Sequence, residues 1–137
     1  MILMNKHSMS KTFNFYCDES CHLENDHKQF MLISYISSAY NQVKIHTECI
    51  KNLKVKHSVR GEIKWTSVSN SKFHFYSELI DYFFATDLNF RAIIVNKNQI
   101  KNNEFGQDFN TFYYKMYYQL LHHKMNMEYA YNIYLDI

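Results

Sequence analysis

Residues 11–20 read KTFNFYCDES, and this stretch carries the pattern that decides the fold class. Two sets of side chains alternate along it, with Phe13, Phe15 and Cys17 on one side and Thr12, Asn14 and Tyr16 on the other. A period of two predicts a β-strand, and Asp18 then falls at its C-terminal edge. The adjacent carboxylates of Asp18 and Glu19 repel one another and are costly to desolvate. The pair therefore either caps a surface turn or holds a positively charged partner.

Further strands and helices are predicted after this one. Apolar or alternating runs predict strands at 29–36, 60–65, 88–95 and 128–137, and apolar residues spaced by three and four predict helices at 40–57, 73–84 and 109–121. The run at 29–36 is continuously apolar, which is typical of a strand buried on both faces. A serine is expected to cap the second helix, from among Ser67, Ser69 and Ser71. Strands that alternate with helices predict an α/β fold, in which helices flank a mixed sheet.

Length and composition narrow the class of protein. The 137 residues suffice for a single domain with a real core, expected at 12–137 after a flexible tail at 1–11. With 12 Tyr and 11 Phe, the chain is not of the disordered class. No stretch approaches the roughly 20 apolar residues of a membrane span, so no membrane partner is expected. Three cysteines, an odd number in a chain without a secretory signal, favour a reducing, cytoplasmic location.

The distribution of charge is more informative than its total. A net charge of +2 does not by itself identify a nucleic-acid-binding protein. Residues 44–64, however, contain six basic residues against two acidic ones. Two interpretations stay open for this segment: the solvated face of an amphipathic helix, or a surface that attracts a polyanion.

Three acids stand at the ends of apolar segments: Asp18, Glu62 in GEIKW and Asp136 in IYLD. Sites in α/β sheets form beyond the carboxyl ends of strands, which is where Asp18 and Asp136 fall. Converging carboxylates need a divalent cation, and oxygen ligands favour Mg²⁺ or Mn²⁺ over zinc. Two such ions could polarise a phosphodiester and activate water. Each acid taken alone is also explained by a surface turn or by an ion pair with a lysine.

The chain resembles the DUF3800 family from about residue 12 to its end. The resemblance rests on YxDES at 16–20, EIK at 62–64, the IIVNK strand at 93–97, the Tyr114–Lys115 pair and the closing aliphatic-Asp. That family is regarded as ribonuclease H-like and is predicted to contain metal-dependent nucleases. The resemblance therefore implies a ribonuclease H-like mixed sheet flanked by α-helices, and a Mg²⁺- or Mn²⁺-dependent nuclease acting on DNA or RNA.

The same resemblance assigns roles to individual residues. It implies that Asp18, Glu62 and Asp136 are the catalytic residues and the metal ligands. It makes Lys64 and Lys115 the candidates for contacting phosphate. Three further residues are expected beside those ligands rather than on the metal: Glu19, Ser20 and Asn96.

Two departures from the family pattern leave a second function open. Asn96 stands where relatives often have Asp, and Asn cannot supply the same charge. The chain also ends one residue after Asp136, whereas relatives continue, so the expected domain is truncated and lacks the C-terminal helical part. The alternative is a catalytically incomplete nucleic-acid-binding or protein-interaction module of the same fold. A second copy would then cover the apolar surface left by the missing part, giving a homodimer.

Overall fold

A four-stranded mixed sheet forms the centre of the protein. The structure, a computed structural model of the chain, describes residues 11–21 and 26–135. The strands are β1 (Thr12–Ser20), β2 (Phe30–Ala39), β3 (Asn89–Asn96) and β4 (Ala130–Leu135). Their order across the sheet is β3-β2-β1-β4, with β2 antiparallel to both β1 and β3, and β4 parallel to β1. The C-terminal ends of β1, β3 and β4 therefore lie at the same edge.

The helices lie in the connections that lead to the two edge strands, β3 and β4. α1 (Val43–Lys56) and α2 (Phe73–Ala85) come between β2 and β3, and α3 (Phe109–His122) comes between β3 and β4. A mixed sheet flanked by helices confirms the predicted α/β class. None of the helices in the described ranges is long and apolar enough to cross a membrane.

The hydrophobic core lies between α3 and one face of the sheet. Its buried members are Phe15, Cys17, Met31, Ile33, Tyr35, Tyr117, Leu120 and Leu121. The strand residues in this set alternate along β1 and β2, as the period of two in the sequence predicts. Met31, Ile33 and Leu120 have no exposed surface at all. Their complete burial fixes α3 against the sheet through close packing.

The other face of the sheet, which we call the Asp18 face, carries Asp18, Tyr16, Ile36, Ile94 and Tyr134. Tyr16 and Ile36 are each 42% exposed, and Ile94 is 69% exposed. The prediction that the strand at 29–36 is buried on both faces is therefore wrong. Its apolar run meets α3 on one side only, while Ile36 on the other side remains in contact with solvent.

The helices α1 and α2 pack against one another. Phe75 is fully buried, and its ring makes T-shaped contacts with the rings of His57 and Tyr76. The predicted serine cap of the second helix is wrong, because the hydroxyls of Ser69 and Ser71 hydrogen-bond to each other at 3.1 Å. A one-turn 3₁₀ helix (Asn70–Lys72) leads into α2 instead.

The segment 60–65 does not form the short strand that its sequence predicts. Gly61 has a positive φ of 80°, which interrupts the extended backbone near the start of the segment, and Trp65–Ser67 forms a 3₁₀ helix. The carbonyl of Gly61 accepts a hydrogen bond from the Lys54 side chain at 2.6 Å, which ties the segment to α1 rather than to the sheet. The predicted tail lies outside the described residues, apart from Lys11.

Candidate active site

Asp18 lies near the C-terminal end of β1, and its side chain is exposed on the Asp18 face. β1 continues through Ser20, so Asp18 is held by strand pairing rather than by a turn, and it stands opposite Ser34 of β2. The Ser34 hydroxyl donates to the Asp18 carbonyl oxygen at 3.3 Å. One carboxylate oxygen of Asp18 accepts the backbone N–H of Glu19 at 2.8 Å. Pairing and this hydrogen bond position an otherwise solvent-facing carboxylate.

The structure brings Lys64, which pairs with Glu62, near enough to Asp18 for their charges to interact. The Lys64 ammonium is 2.8 Å from a carboxylate oxygen of Glu62, and both side chains are exposed. The hydrogen bond to Glu62 is the main cause that raises the pKa of Lys64, and the charge of Glu62 raises it further. Burial opposes this rise, and the charge of Asp18 adds a smaller increase. Lys64 therefore links two acids that are 44 positions apart in the sequence, because it pairs with Glu62 and interacts with the charge of Asp18.

The segment that carries Glu62 and Lys64 is anchored at both ends. The Tyr76 hydroxyl of α2 donates to the Lys64 carbonyl at 3.0 Å, and Lys54 of α1 holds Gly61. Trp65 follows immediately, with 87% of its surface exposed. Trp65 is therefore a surface residue and not part of the hydrophobic core.

Glu19 lies on the opposite face from Asp18, because successive side chains of a strand alternate. Its carboxylate accepts a hydrogen bond from the buried Tyr117 hydroxyl of α3 at 2.6 Å. Burial is the main cause that raises the pKa of Tyr117, and the hydrogen bond to Glu19 raises it further. The two adjacent acids of DES therefore have different environments, one bonded to the core helix and one facing solvent.

Two other predicted residues, Asn96 and Lys115, do not meet Asp18. Asn96 lies two strands across and four residues further along, about 16 Å away by ordinary strand spacing. Its side chain accepts the N–H of Asn98 at 3.1 Å. Lys115 belongs to α3, which covers the other face of the sheet, and it bonds to Gln107. Ser20, by contrast, lies two residues along β1 on the same face as Asp18, and its hydroxyl contacts the Cys21 sulfur at 3.6 Å.

Asp136 lies outside the described residues. The parallel register pairs Cys17 with Leu135, which immediately precede Asp18 and Asp136 in the sequence. Among residues 11–21 and 26–135, no three His, Cys, Asp or Glu side chains form a group that could hold a metal ion.

The donor set at Asp18 fits a hard cation. Asp18 and Glu62 offer only carboxylate oxygens, the type of ligand that Mg²⁺ and Mn²⁺ prefer. Protein sites for Mg²⁺ commonly use one or two carboxylates together with water and substrate phosphate. The exposure of both carboxylates leaves room for such additional ligands.

Sequence patterns did not single out an aromatic pair beside Asp18. The rings of Tyr16 and Tyr134 stack across β1 and β4, with centroids 5.1 Å apart and planes at 10°. Asn132 donates to buried Asn14 at 2.9 Å, and Asn14 donates to the Tyr16 hydroxyl at 2.9 Å. Alternation in both strands placed each tyrosine on one face, but it could not show that the strands are neighbours.

Comparisons of the chain with protein-family models, with curated proteins and with solved structures gave no match. The residues around Asp18 are therefore the basis for assigning a function.

Proposed function

We propose that the protein is a Mg²⁺- or Mn²⁺-dependent nuclease of the ribonuclease H-like, DUF3800 type, acting in the cytoplasm. The observation that carries the proposal is the ion pair of Lys64 with Glu62, in which Lys64 also interacts with the charge of Asp18 at the C-terminal end of an interior strand. α/β proteins commonly bind ligands in the crevice beyond the carboxyl ends of their strands, which is where Asp18 lies. Asp136 is proposed as a third acidic ligand.

Each residue of the region has a distinct part in this proposal. Asp18 and Glu62 would hold the cation, which supplies charge neutralisation and polarises the phosphodiester. The Lys64 ammonium would leave Glu62 and bind a phosphate oxygen as a point charge. The stacked rings of Tyr16 and Tyr134 offer a flat apolar surface to a base, two residues along the strand from Asp18. Together these groups position a phosphate beside the acids.

The first test measures cleavage of labelled DNA and RNA with Mg²⁺ and with Mn²⁺. We expect Asp18→Asn and Glu62→Gln each to lower the rate at least about 100-fold, because each removes charge that the cation needs. Glu48→Gln is the matched control, because Glu48 is also an exposed acid and lies 3.1 Å from the ammonium of a lysine on the same helix, α1. This variant should cleave at the normal rate. Absence of cleavage with both metals, or equal cleavage by Asp18→Asn, would contradict the proposal.

A second readout does not depend on turnover. A cation that binds only the folded state at 100 times its dissociation constant adds about 2.7 kcal/mol to the free energy of unfolding. We expect Mn²⁺ to raise the melting temperature of the native chain and of Glu48→Gln, but not of Asp18→Asn. An equal rise in all three proteins would place the cation elsewhere.

The alternative is a catalytically incomplete module that binds nucleic acid or another protein. It is favoured by the exposed aromatic and aliphatic side chains of the Asp18 face, together with the lack of a third acid beside Asp18 in the described ranges. Binding that weakens with salt, without turnover, would support the nucleic-acid version. A dimer that dissociates when Ile94→Lys is introduced would instead support a second copy on this face.

A further inference from the structure

A pocket lies away from the site formed around Asp18. Its volume is about 620 Å³, within the usual range for sites that bind small molecules. The walls come from β1, β2 and the start of β3, and the turn after α3 closes one side. Phe13, Tyr35 and Arg91 share the α3 face of the sheet, whereas Asp18 is on the other face. The pocket is therefore independent of the proposed metal ligands.

The pocket contains a cationic corner. The Nη1 atom of Arg91 is buried and has no hydrogen-bond partner among the described residues. Burial raises the pKa of Tyr35, and the neighbouring Arg91 guanidinium opposes this rise, so another part of the guanidinium lies beside the Tyr35 hydroxyl. Lys124 also lines the pocket, and His123 lies close enough to be affected by Arg91. Burial chiefly lowers the pKa of His123, and the charges of His122 and Arg91 lower it further. A buried guanidinium N–H without an acceptor is costly, and an anion would satisfy it.

One acid lines the pocket, and it already has a partner. Asp87 accepts from Nε2 of His46 at 3.0 Å. Its carboxylate is thus engaged with α1 and is not the acceptor for Arg91. The corner formed by Arg91 and Lys124 keeps a net positive charge.

The remaining walls are aromatic. Phe13 lies against Tyr131 with planes at 24° and centroids 6.1 Å apart, and Phe15 tilts against Tyr35 at 4.6 Å. The side chains of Asn89 and Asn126 lie on the lining and offer both donors and acceptors. Aromatic walls favour a planar ring, and amides can bind the polar edge of such a ring.

We propose that this pocket binds a small ligand that combines a planar ring with one anionic group, the class to which nucleoside monophosphates belong. Arg91 and Lys124 bind the anion, and the aromatic walls hold the ring. Tight binding requires both parts of the ligand, because the anion contacts only the cationic corner and the ring contacts only the aromatic walls. This inference does not depend on the proposed nuclease activity.

The test is calorimetric titration of the full chain with AMP in a buffer that contains EDTA, so that the carboxylate site is without metal. We expect a dissociation constant below about 1 mM. Adenosine, which lacks the anion, and inorganic phosphate, which lacks the ring, should each bind about tenfold more weakly or worse. Adenosine binding as tightly as AMP, or no AMP binding at all, would overturn the proposal.

Variants locate the binding. Arg91→Met should weaken AMP binding about tenfold, whereas Arg60→Met, which removes the other arginine of the chain at an exposed position, should not change it. If Arg91→Met does not fold, Lys124→Met at the exposed rim serves instead, with an expected loss of about threefold. Asp18→Asn should bind AMP normally, which separates this pocket from the proposed nuclease site. Equal binding by the folded Arg91 or Lys124 variant and by Arg60→Met would overturn the assignment.

Discussion

At the scale of single residues, the adjacent acids Asp18 and Glu19 illustrate how a strand gives neighbours different chemistry. Glu19 points to the core side and accepts from the Tyr117 hydroxyl at 2.6 Å, while Asp18 faces solvent close to Lys64. Alternation along β1 separates the two carboxylates, which reduces the repulsion that adjacent acids would otherwise suffer. Only one of the two is therefore available to a ligand on the Asp18 face.

Removing the Tyr117 hydroxyl tests this arrangement. We expect Tyr117→Phe to lower the free energy of unfolding by about 1–2 kcal/mol, because a buried donor to a carboxylate is lost. Tyr118→Phe is the control, since Tyr118 is exposed on the same helix and should change stability by less than about 0.5 kcal/mol. Urea denaturation measures both values, and equal effects would show that the Tyr117–Glu19 hydrogen bond does not stabilise the fold.

Cysteine reactivity gives a pH-dependent prediction at the same scale. Burial, followed by the charge of Glu19, raises the pKa of Cys17 to about 11, while Cys21 is exposed. The thiolate is the reactive form, so native Cys17 should resist iodoacetamide at pH 8 while Cys21 reacts. Mass spectrometry of the labelled peptides measures this, and equal labelling of the two in folded protein would refute it.

The same raised pKa has a consequence for stability. The folded pKa of Cys17 lies above the ordinary thiol value of about 8.5. The unfolded chain therefore loses this proton first as the pH rises. Stability is unaffected by Cys17 below about pH 8.5 and declines from there towards pH 11.

At the scale of elements, a polar network joins α1, α2 and the turn before β3. Nδ1 of buried His46 lies 2.7 Å from the Tyr82 hydroxyl, and Nε2 lies 3.0 Å from Asp87. The carboxylate can only accept, so Nε2–H donates to it, and in the tautomer that carries its proton on Nε2 the Nδ1 atom accepts from the Tyr82 hydroxyl. Burial, then the hydrogen bond to Cys49, raises the pKa of Tyr82 to about 12, so Tyr82 stays protonated and can donate at neutral pH.

Tyr82→Phe should weaken the packing between α1 and α2. It leaves the buried Nδ1 of His46 without a donor, and we expect a loss of about 1–2 kcal/mol in the free energy of unfolding. Tyr114→Phe, at an exposed position on α3, controls for loss of a hydroxyl. A double-mutant cycle with His46→Gln should show coupling between the two positions, and strictly additive effects would contradict the network.

At the scale of the whole molecule, paired carboxylates determine the response to acid. The hydrogen bond from Lys97, and after it the backbone N–H of Lys28, lowers the pKa of Asp26. Hydrogen bonds from Thr111 likewise lower the pKa of Asp108 at the start of α3. The Lys97 side chain is 8% exposed and that of Asp26 is 17% exposed, so this ion pair links the connection before β2 to the end of β3 largely out of solvent.

These lowered pKa values predict loss of stability in acid. Each folded carboxyl titrates below its unfolded value, so its contribution is complete above the ordinary carboxyl range and is lost as the pH falls through the folded pKa. Urea denaturation between pH 7 and pH 3 should show this decline, and Asp26→Asn should flatten it while lowering stability at pH 7. Asp81→Asn, on the exposed surface of α2, is the control. An unchanged slope in Asp26→Asn would contradict the assignment.

Most helices and strands can be predicted from local sequence patterns alone. Alternation in KTFNFYCDES and the three-and-four spacing of Phe109, Phe112, Met116 and Leu120 depend only on neighbouring residues, and β1 and α3 follow them closely. The extended segment predicted at 60–65 failed because the positive φ of Gly61 and the contact of Lys54 with its carbonyl compete with strand pairing. Local patterns therefore determine where strands and helices form more reliably than where they end.

Which side chains meet depends on how the distant segments of the chain pack together. The strand order β3-β2-β1-β4 makes Tyr16 a neighbour of Tyr134, and the anchored segment after α1 brings Lys64, paired with Glu62, within reach of the charge of Asp18. It also assigns α3 to one face, which separates Lys115 from Asp18 and leaves Ile36 exposed. Periodicity reports which face of its own element a residue occupies. Contacts between distant segments depend instead on how the elements pack, and only the folded chain fixes that packing.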